Sequence, residues 1–164
     1  RGVLIGSILS LGLLLRRAAR PHVAFLARIP GTRRYSDIEH SPDNEPVPGV
    51  LAFRAESSLL YFNVDAVREA VMQHLAAAVE PVRLVVCDLS SSPHVDLAGA
   101  EMLAQLHRDL AARGIGFRAV EARAGVRDML VREGLDERLG HVGRGETLAQ
   151  VLAGAAGAPG APAA

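Results

Sequence analysis

Val82 to Leu103 reads VRLVVCDLSSSPHVDLAGAEML, and the rest of the chain can be laid out around it. Val82 to Leu89 is a short, nearly continuous apolar run with Val at three positions, the pattern of a strand buried on both faces of a sheet. Ser90, Ser91, Ser92 and Pro93 continue neither a strand nor a helix easily, so the chain must turn here. Asp96 stands directly before a helical pattern, where its carboxylate can accept the first free backbone N–H groups. The stretch therefore predicts strand, loop and helix N-terminus. In an open α/β sheet that junction lies at the carboxyl end of a strand, where ligands and partners are received.

On the downstream side, Leu97, Ala100, Leu103, Leu106 and Leu110 trace one helical face, and Gly114 is placed to end the helix. Ile115 to Val120 predicts another strand, Gly125 to Glu133 a short amphipathic helix with Val126, Met129 and Leu130 inward, and a last helix begins near Glu146. Upstream, Val50 to Arg54 reads as a first strand and Ser58 to Phe62 as a neighbouring one across a polar turn. Asn63 is a good N-cap for the helix marked by Val64, Val67, Val71, Leu75 and Ala78, which Glu80 and Pro81 end. Strands alternating with helices predict an α/β fold, a small sheet flanked by helices over 50–152.

The ends differ in kind. Gly2 to Leu15 carries no charge, and as a helix this run would rise about 21 Å. A signal peptide would have its basic residues before the apolar run, whereas Arg16, Arg17 and Arg20 come after it. A buried soluble helix would show a polar face, and only two Ser interrupt this one. The run is thus expected to be the last part of a transmembrane helix, with residues 1–20 as membrane end and basic juxtamembrane segment. The positive-inside rule then sets the chain beyond Arg20 on the cytoplasmic side. No acidic residue precedes Asp37, so an anionic leaflet would attract this segment. Residues 21–49, rich in Pro, Gly, Asp and Glu from Ile29 onward, are expected to be a linker, and 153–164, made only of Ala, Gly and Pro, a disordered tail.

Composition excludes several functions. The 164 residues hold 18 basic and 18 acidic side chains, so no global charge favours nucleic acid. Every basic residue is Arg, which removes a Walker-type or Schiff-base lysine, and no nucleotide motif is present. Cys87 stands alone within the apolar run, a small buried hydrophobe without a disulfide mate.

Ser92, His94 and Asp96 invite comparison with a nucleophile, base and orienting acid. A triad is normally assembled from distant segments with an oxyanion hole, not from alternating residues of one loop, so no catalysis is expected. Cys87, His94 and Asp96 match no familiar zinc spacing, and neither metal nor cofactor is expected. His22, His74, His107 and His141 are expected at surfaces or helix faces. The N-terminus at Leu97, Ala98 and Gly99 suits an anion or an acidic partner, but Asp96 already fills its donors with a negative charge. A protein contact is therefore expected ahead of a phosphate, on the surface made by Ser90, Ser91, Ser92, His94, Asp96, Leu97, Ala98 and Gly99. The plainer alternative is a fold-determining turn with no ligand.

In three successive pieces the chain resembles the C-terminal STAS domain of the SulP anion transporters. HVAFLARIPGTRRYSDIEHSPDNEPVPG looks like the family's post-membrane connector, GVLAFRAESSLLYFNVDAVREAV like its first strands and helix, and DLSSSPHVDLAGAEML like its signature loop and helix. The resemblance implies a small mixed sheet flanked by helices, joined to a membrane domain that moves an anion of the sulfate type, and a homodimer. It implies a regulatory and assembly role without enzyme chemistry, open to a cytoplasmic regulatory protein. The related soluble anti-sigma-factor antagonists carry Asp-Ser-Ser-Gly at this helix start, with a serine that a partner kinase phosphorylates. Here the matching residues are Asp96, Leu97, Ala98 and Gly99, and Ala98 has no hydroxyl. A membrane-tethered or soluble interaction switch of that kind is the alternative, which Ala98 and the apolar N-terminus both oppose.

Overall fold

The computed structural model describes residues 2–142 and 146–157. Five strands form one mixed sheet: β1 (Val23–Arg28), β2 (Tyr35–Asp37), β3 (Val50–Ala55), β4 (Leu84–Asp88) and β5 (Gly116–Val120). Their order is β2-β1-β3-β4-β5, with β1 antiparallel to both neighbours and β3, β4 and β5 mutually parallel. Each parallel connection runs through a helix, α2 (Val64–Ala76) between β3 and β4 and α3 (Leu97–Ala111) between β4 and β5. Two shorter helices come after β5, α4 (Ala124–Arg132) and α5 (Leu148–Ala156), and α1 (Gly2–Ala19) precedes the sheet.

The pleat assigns the strand residues to two cores. Val23, Phe25, Leu51, Phe53, Val85, Cys87, Phe117 and Ala119 face one way and meet Val67 and Val71 of α2, Leu103, Leu106 and Leu110 of α3, and Val126 and Leu130 of α4. On the opposite face the sheet offers Ala24, Leu26, Ala52, Val86 and Val120, and α5 covers them with Leu148, Val151 and Leu152. That helix is fixed at both ends. Thr147 Oγ1 accepts the Gln150 N–H at 3.3 Å while the Thr147 N–H donates to Gln150 Oε1 at 2.8 Å, and the Arg83 guanidinium donates to the Ala155 carbonyl.

Four expectations need correction. Residues 21–49 are not a linker throughout: β1 and β2 lie within them, and five of the six β1 residues are buried. Ser58 to Phe62 forms no strand, only a single parallel bridge between Leu59 and Val95. Asn63 precedes α2 but its side chain makes no cap; Oδ1 accepts from the Leu60 N–H at 3.0 Å and Nδ2 donates to the Ser58 carbonyl at 2.9 Å, closing the preceding turn. The tail from 153 is helical to Ala156, and residues 158–164 lie outside the described part. α1 is apolar with a mean hydropathy of 1.5, and none of its residues is buried against the rest of the domain.

Candidate functional site at the start of helix α3

β4 ends in Asp88, whose side chain is wholly buried on the α5 face beyond Val86. Such a carboxylate must find partners for both oxygens, because an unpaired buried charge costs several kcal/mol. Asp88 Oδ2 accepts from Arg54 Nε at 2.8 Å, across the β3–β4 register that sets the two residues side by side. Oδ1 accepts the Ser90 N–H at 2.9 Å and starts the turn.

The turn is then joined to the segment after β3. Ser92 is fully buried, and its Oγ donates to the Ser57 carbonyl at 2.8 Å. The Leu59 N–H donates to the His94 carbonyl at 3.0 Å and the Asp96 N–H to the Leu59 carbonyl at 3.2 Å. Asp96 caps α3 as its position predicts: Oδ1 accepts the Gly99 N–H at 2.8 Å. Its second oxygen, Oδ2, accepts the Tyr61 N–H at 2.9 Å, so one carboxylate pins both the helix start and the Leu60–Phe62 turn.

Gly99 explains how closely the two segments meet. A Cβ there would lie 2.6 Å from the Leu59 carbonyl oxygen and 2.8 Å from Val95 Cγ1. Glycine permits the first turn of α3 to rest on the backbone of Leu59 rather than on the sheet. Ala98 is half-buried against the main core, where a methyl group fits without a polar partner.

The expected contact residues divide accordingly. Ser92 and Gly99 are buried, Ser90, Ser91, Asp96 and Ala98 are half-buried, and His94 and Leu97 are exposed. Ser92 Oγ is committed to a carbonyl while His94 stands at the surface and Asp96 is spent on backbone donors, so the three do not assemble a triad. Burial pushes the Cys87 thiol far above its ordinary range, with the charge of Asp88 adding to the effect, and it offers no thiolate to a metal.

Apart from His94, the exposed side chains here are apolar. Leu97 is 51% exposed, and Tyr61 and Phe62, packed edge to face 5.4 Å apart, are 75% and 42% exposed. The chain holds only four Phe, two Tyr and no Trp, so two of its few aromatics stand outward beside the capped start of α3. Sequence reading missed this pair by assigning Ser58 to Phe62 to a strand; the signal was an aromatic doublet directly before a turn-forming Asn63. The Arg54–Asp88 pair was also missed, because its members are distant in the chain and meet only through the register.

The model of the STAS domain family matches residues 41–150, from the turn after β2 through the first residues of α5. The chain belongs to the STAS domain family. A probable sulfate transporter of Mycobacterium tuberculosis is 31% identical over 139 residues, covering 85% of this chain and 25% of the relative. The chloroplastic sulfate transporter 4.1 of Arabidopsis thaliana is 26% identical over 148 residues, covering 85% of this chain and 22% of that one. The STAS chain thus spans about a quarter of the length of the curated relatives it matches.

Two solved structures share the fold. The STAS domain of a SulP transporter from Vibrio cholerae superposes with a TM-score of 0.54 at 21% identity, over 71% of this chain and 88% of that one. The murine solute carrier 26 family member A9 anion transporter, in its inward-facing state, superposes with a TM-score of 0.74 at 22% identity, over 92% of this chain and 25% of the transporter. The mixed sheet flanked by helices that the three resembling pieces imply together is therefore the STAS fold. These relatives are transporters, and no catalytic activity is indicated for the domain.

Proposed function

We propose that this chain is the cytoplasmic regulatory and assembly domain of a SulP-type anion transporter, joined through α1 to its membrane part and working as a homodimer. It performs no chemistry of its own and biases the transport cycle by contacts whose stability differs between two states of the transporter. The observation that carries this reading is α1: 18 residues, uncharged from Gly2 to Leu15 and closed by Arg16 and Arg17, none of them buried against the domain, and followed within four residues by β1. Exposing that much apolar surface to water is unfavourable, whereas a bilayer or a bundle of membrane helices would cover it. The superposition on the murine transporter supports the same reading, since 92% coverage of this chain cannot be reached without part of α1.

The contact surface is the loop Ser90 to Asp96 with Leu97, Ala98 and Gly99, extended by Tyr61 and Phe62. The side chains of Ser92 and Asp96 are bonded internally, so it is a rigid platform; apart from His94, its exposed side chains Leu97, Tyr61 and Phe62 are apolar, which suits a dry contact with another protein surface. A cytoplasmic regulatory protein would compete for that same platform. The alternative switch of the anti-sigma-factor-antagonist kind lacks its acceptor hydroxyl at Ala98.

The test is sulfate uptake into proteoliposomes by the intact transporter, with Tyr61→Ser and Leu97→Ser combined. Both side chains are exposed, so thermal stability should stay within about 0.5 kcal/mol of wild type. Uptake should fall several-fold. Unchanged uptake with unchanged oligomeric state would remove this platform from the coupling.

A further inference from the structure

A second cluster lies away from the α3 platform, where the chain leaves α1. His22 stands immediately before β1, Asp37 is the last residue of β2, and His40 sits in the turn after it. The antiparallel β1–β2 ladder brings these three segments together. Nε2 of His22 and Nδ1 of His40 lie 2.6 and 3.1 Å from the same oxygen, Asp37 Oδ2, and all three donor atoms fall within 4.8 Å of one another. The other carboxylate oxygen, Oδ1, accepts the Glu39 N–H at 2.9 Å, which holds the carboxylate in its orientation.

Two imidazoles directed at one oxygen is more than a single ion pair requires. It is the arrangement left when a shared cation is replaced by protons. Around zinc, bonds of about 2.0–2.2 Å in tetrahedral geometry put ligand atoms about 3.3 Å apart. The separations at Asp37 Oδ2 approach that spacing with shifts of less than about 1 Å. The rings of His22 and His40 already stand edge to face, 5.8 Å apart, so neither blocks the other's approach.

Exposure grades across the cluster in the way a solvent-loaded site requires. The Asp37 side chain is 11% exposed, that of His22 38% and that of His40 77%, so an ion can arrive from the His40 side and leave one coordination position to water. Glu39 and Glu56 share a recess with His22, Arg17 and Arg20, and the two pairs of charges offset each other, leaving the charge of Asp37 to favour a cation. Two imidazole nitrogens with one carboxylate select a borderline metal over calcium or magnesium, which prefer all-oxygen shells.

We propose that His22, Asp37 and His40 form a binding site for a divalent transition-metal cation of the zinc class, where α1 joins the sheet. The site stands independently of the docking surface proposed above. Bound there, the ion would tie the exit of α1 to β2 and its following turn.

The experiment is isothermal titration of zinc chloride into the full chain in detergent micelles, purified without a polyhistidine tag, with the cobalt spectrum as a second readout. One ion should bind per chain, and cobalt should give visible bands of nitrogen and oxygen ligation. His22→Gln and His40→Gln should each weaken binding at least about tenfold, while His141→Gln, at another exposed histidine, should leave it unchanged. His40 is so exposed that its substitution cannot act by unfolding the domain, and the melting curve without metal verifies this. No saturable binding, or binding that survives both substitutions, would overturn the proposal and leave the cluster an ion-pair network.

Discussion

The two connections that flank the sheet, β4 to α3 and α1 to β2, solve the same problem in opposite ways. Each must carry polar residues past an apolar core. The β4–α3 connection turns its polar atoms inward: Asp88, Ser92 and both oxygens of Asp96 are each bound to groups of the same domain, and apolar Leu97, Tyr61 and Phe62 are left facing out. The α1–β2 connection keeps its apolar strand inside and sets His22, Asp37 and His40 at the rim, open to water. The first is thus a surface of fixed geometry, and the second is adjustable chemistry beside a helix that the domain does not cover. Fully satisfied polar networks specify a single geometry, and partly solvated ones leave room for a proton or an ion.

If the closed connection is as rigid as this contrast holds, its tightest contact should be its weakest point under substitution. We expect Gly99→Val to be the most damaging single change in the domain, because the new Cβ would sit 2.6 Å from the Leu59 carbonyl and neither backbone can retreat without breaking the Leu59–Val95 bridge. Overpacking of this kind costs roughly 3 kcal/mol or more, enough to leave a large unfolded fraction. Thermal unfolding of the full chain in micelles would show it as a melting point many degrees lower; a shift of a degree or less would mean that α3 does not rest on Leu59.

Asp96 comes next. Asp96→Ala removes the α3 cap and frees the Tyr61 N–H in the same step, so we expect a loss of about 1–2 kcal/mol. Asp96→Asn keeps one acceptor oxygen for the Gly99 N–H and should recover part of that loss. The two variants together separate the cap from the tie to Tyr61: if Asn restores full stability, the second oxygen contributes nothing, and Tyr61 is held by other contacts.

These same residues show where sequence reading succeeds and where it fails. The Val-rich run of β4, the leucine stripe of α3 and the cap at Asp96 were legible because each is decided by neighbours within a few positions. The reason for Gly99 was not, since the backbone that crowds it belongs to Leu59, forty positions earlier. β1 was missed for a different cause. VAFLAR sits between an Arg cluster and a Pro-rich and Gly-rich segment, and window composition hid six residues that the sheet buries almost completely. The His22, Asp37 and His40 cluster depends on that strand. Once 21–49 is read as a linker, no register exists to bring residue 22 against residue 37.

The smallest expected effect lies on the open side of the comparison, where α2 meets β1 through a stacked pair, the rings of His74 and Phe25 3.7 Å apart and nearly parallel. Burial holds the His74 imidazole below its ordinary value of 6.5, against the opposing pull of the Glu39 charge. A group whose folded value is depressed in this way stabilises the fold above its unfolded value and loses that contribution as pH falls from there through the folded value. The unfolded chain takes up the proton first, and below both values the contribution is gone. The stacked ring should therefore be worth more at pH 8 than at pH 5. Melting temperatures of wild type and His74→Gln, taken side by side across that range with chelator present, should differ most at the alkaline end and converge toward the acidic end. The difference at its largest should stay below that of Asp96→Ala, because the His74 side chain is only partly withdrawn from solvent. A gap that instead widened on acidification would mean that the ring is held as a cation, with Glu39 rather than Phe25 as the partner that matters.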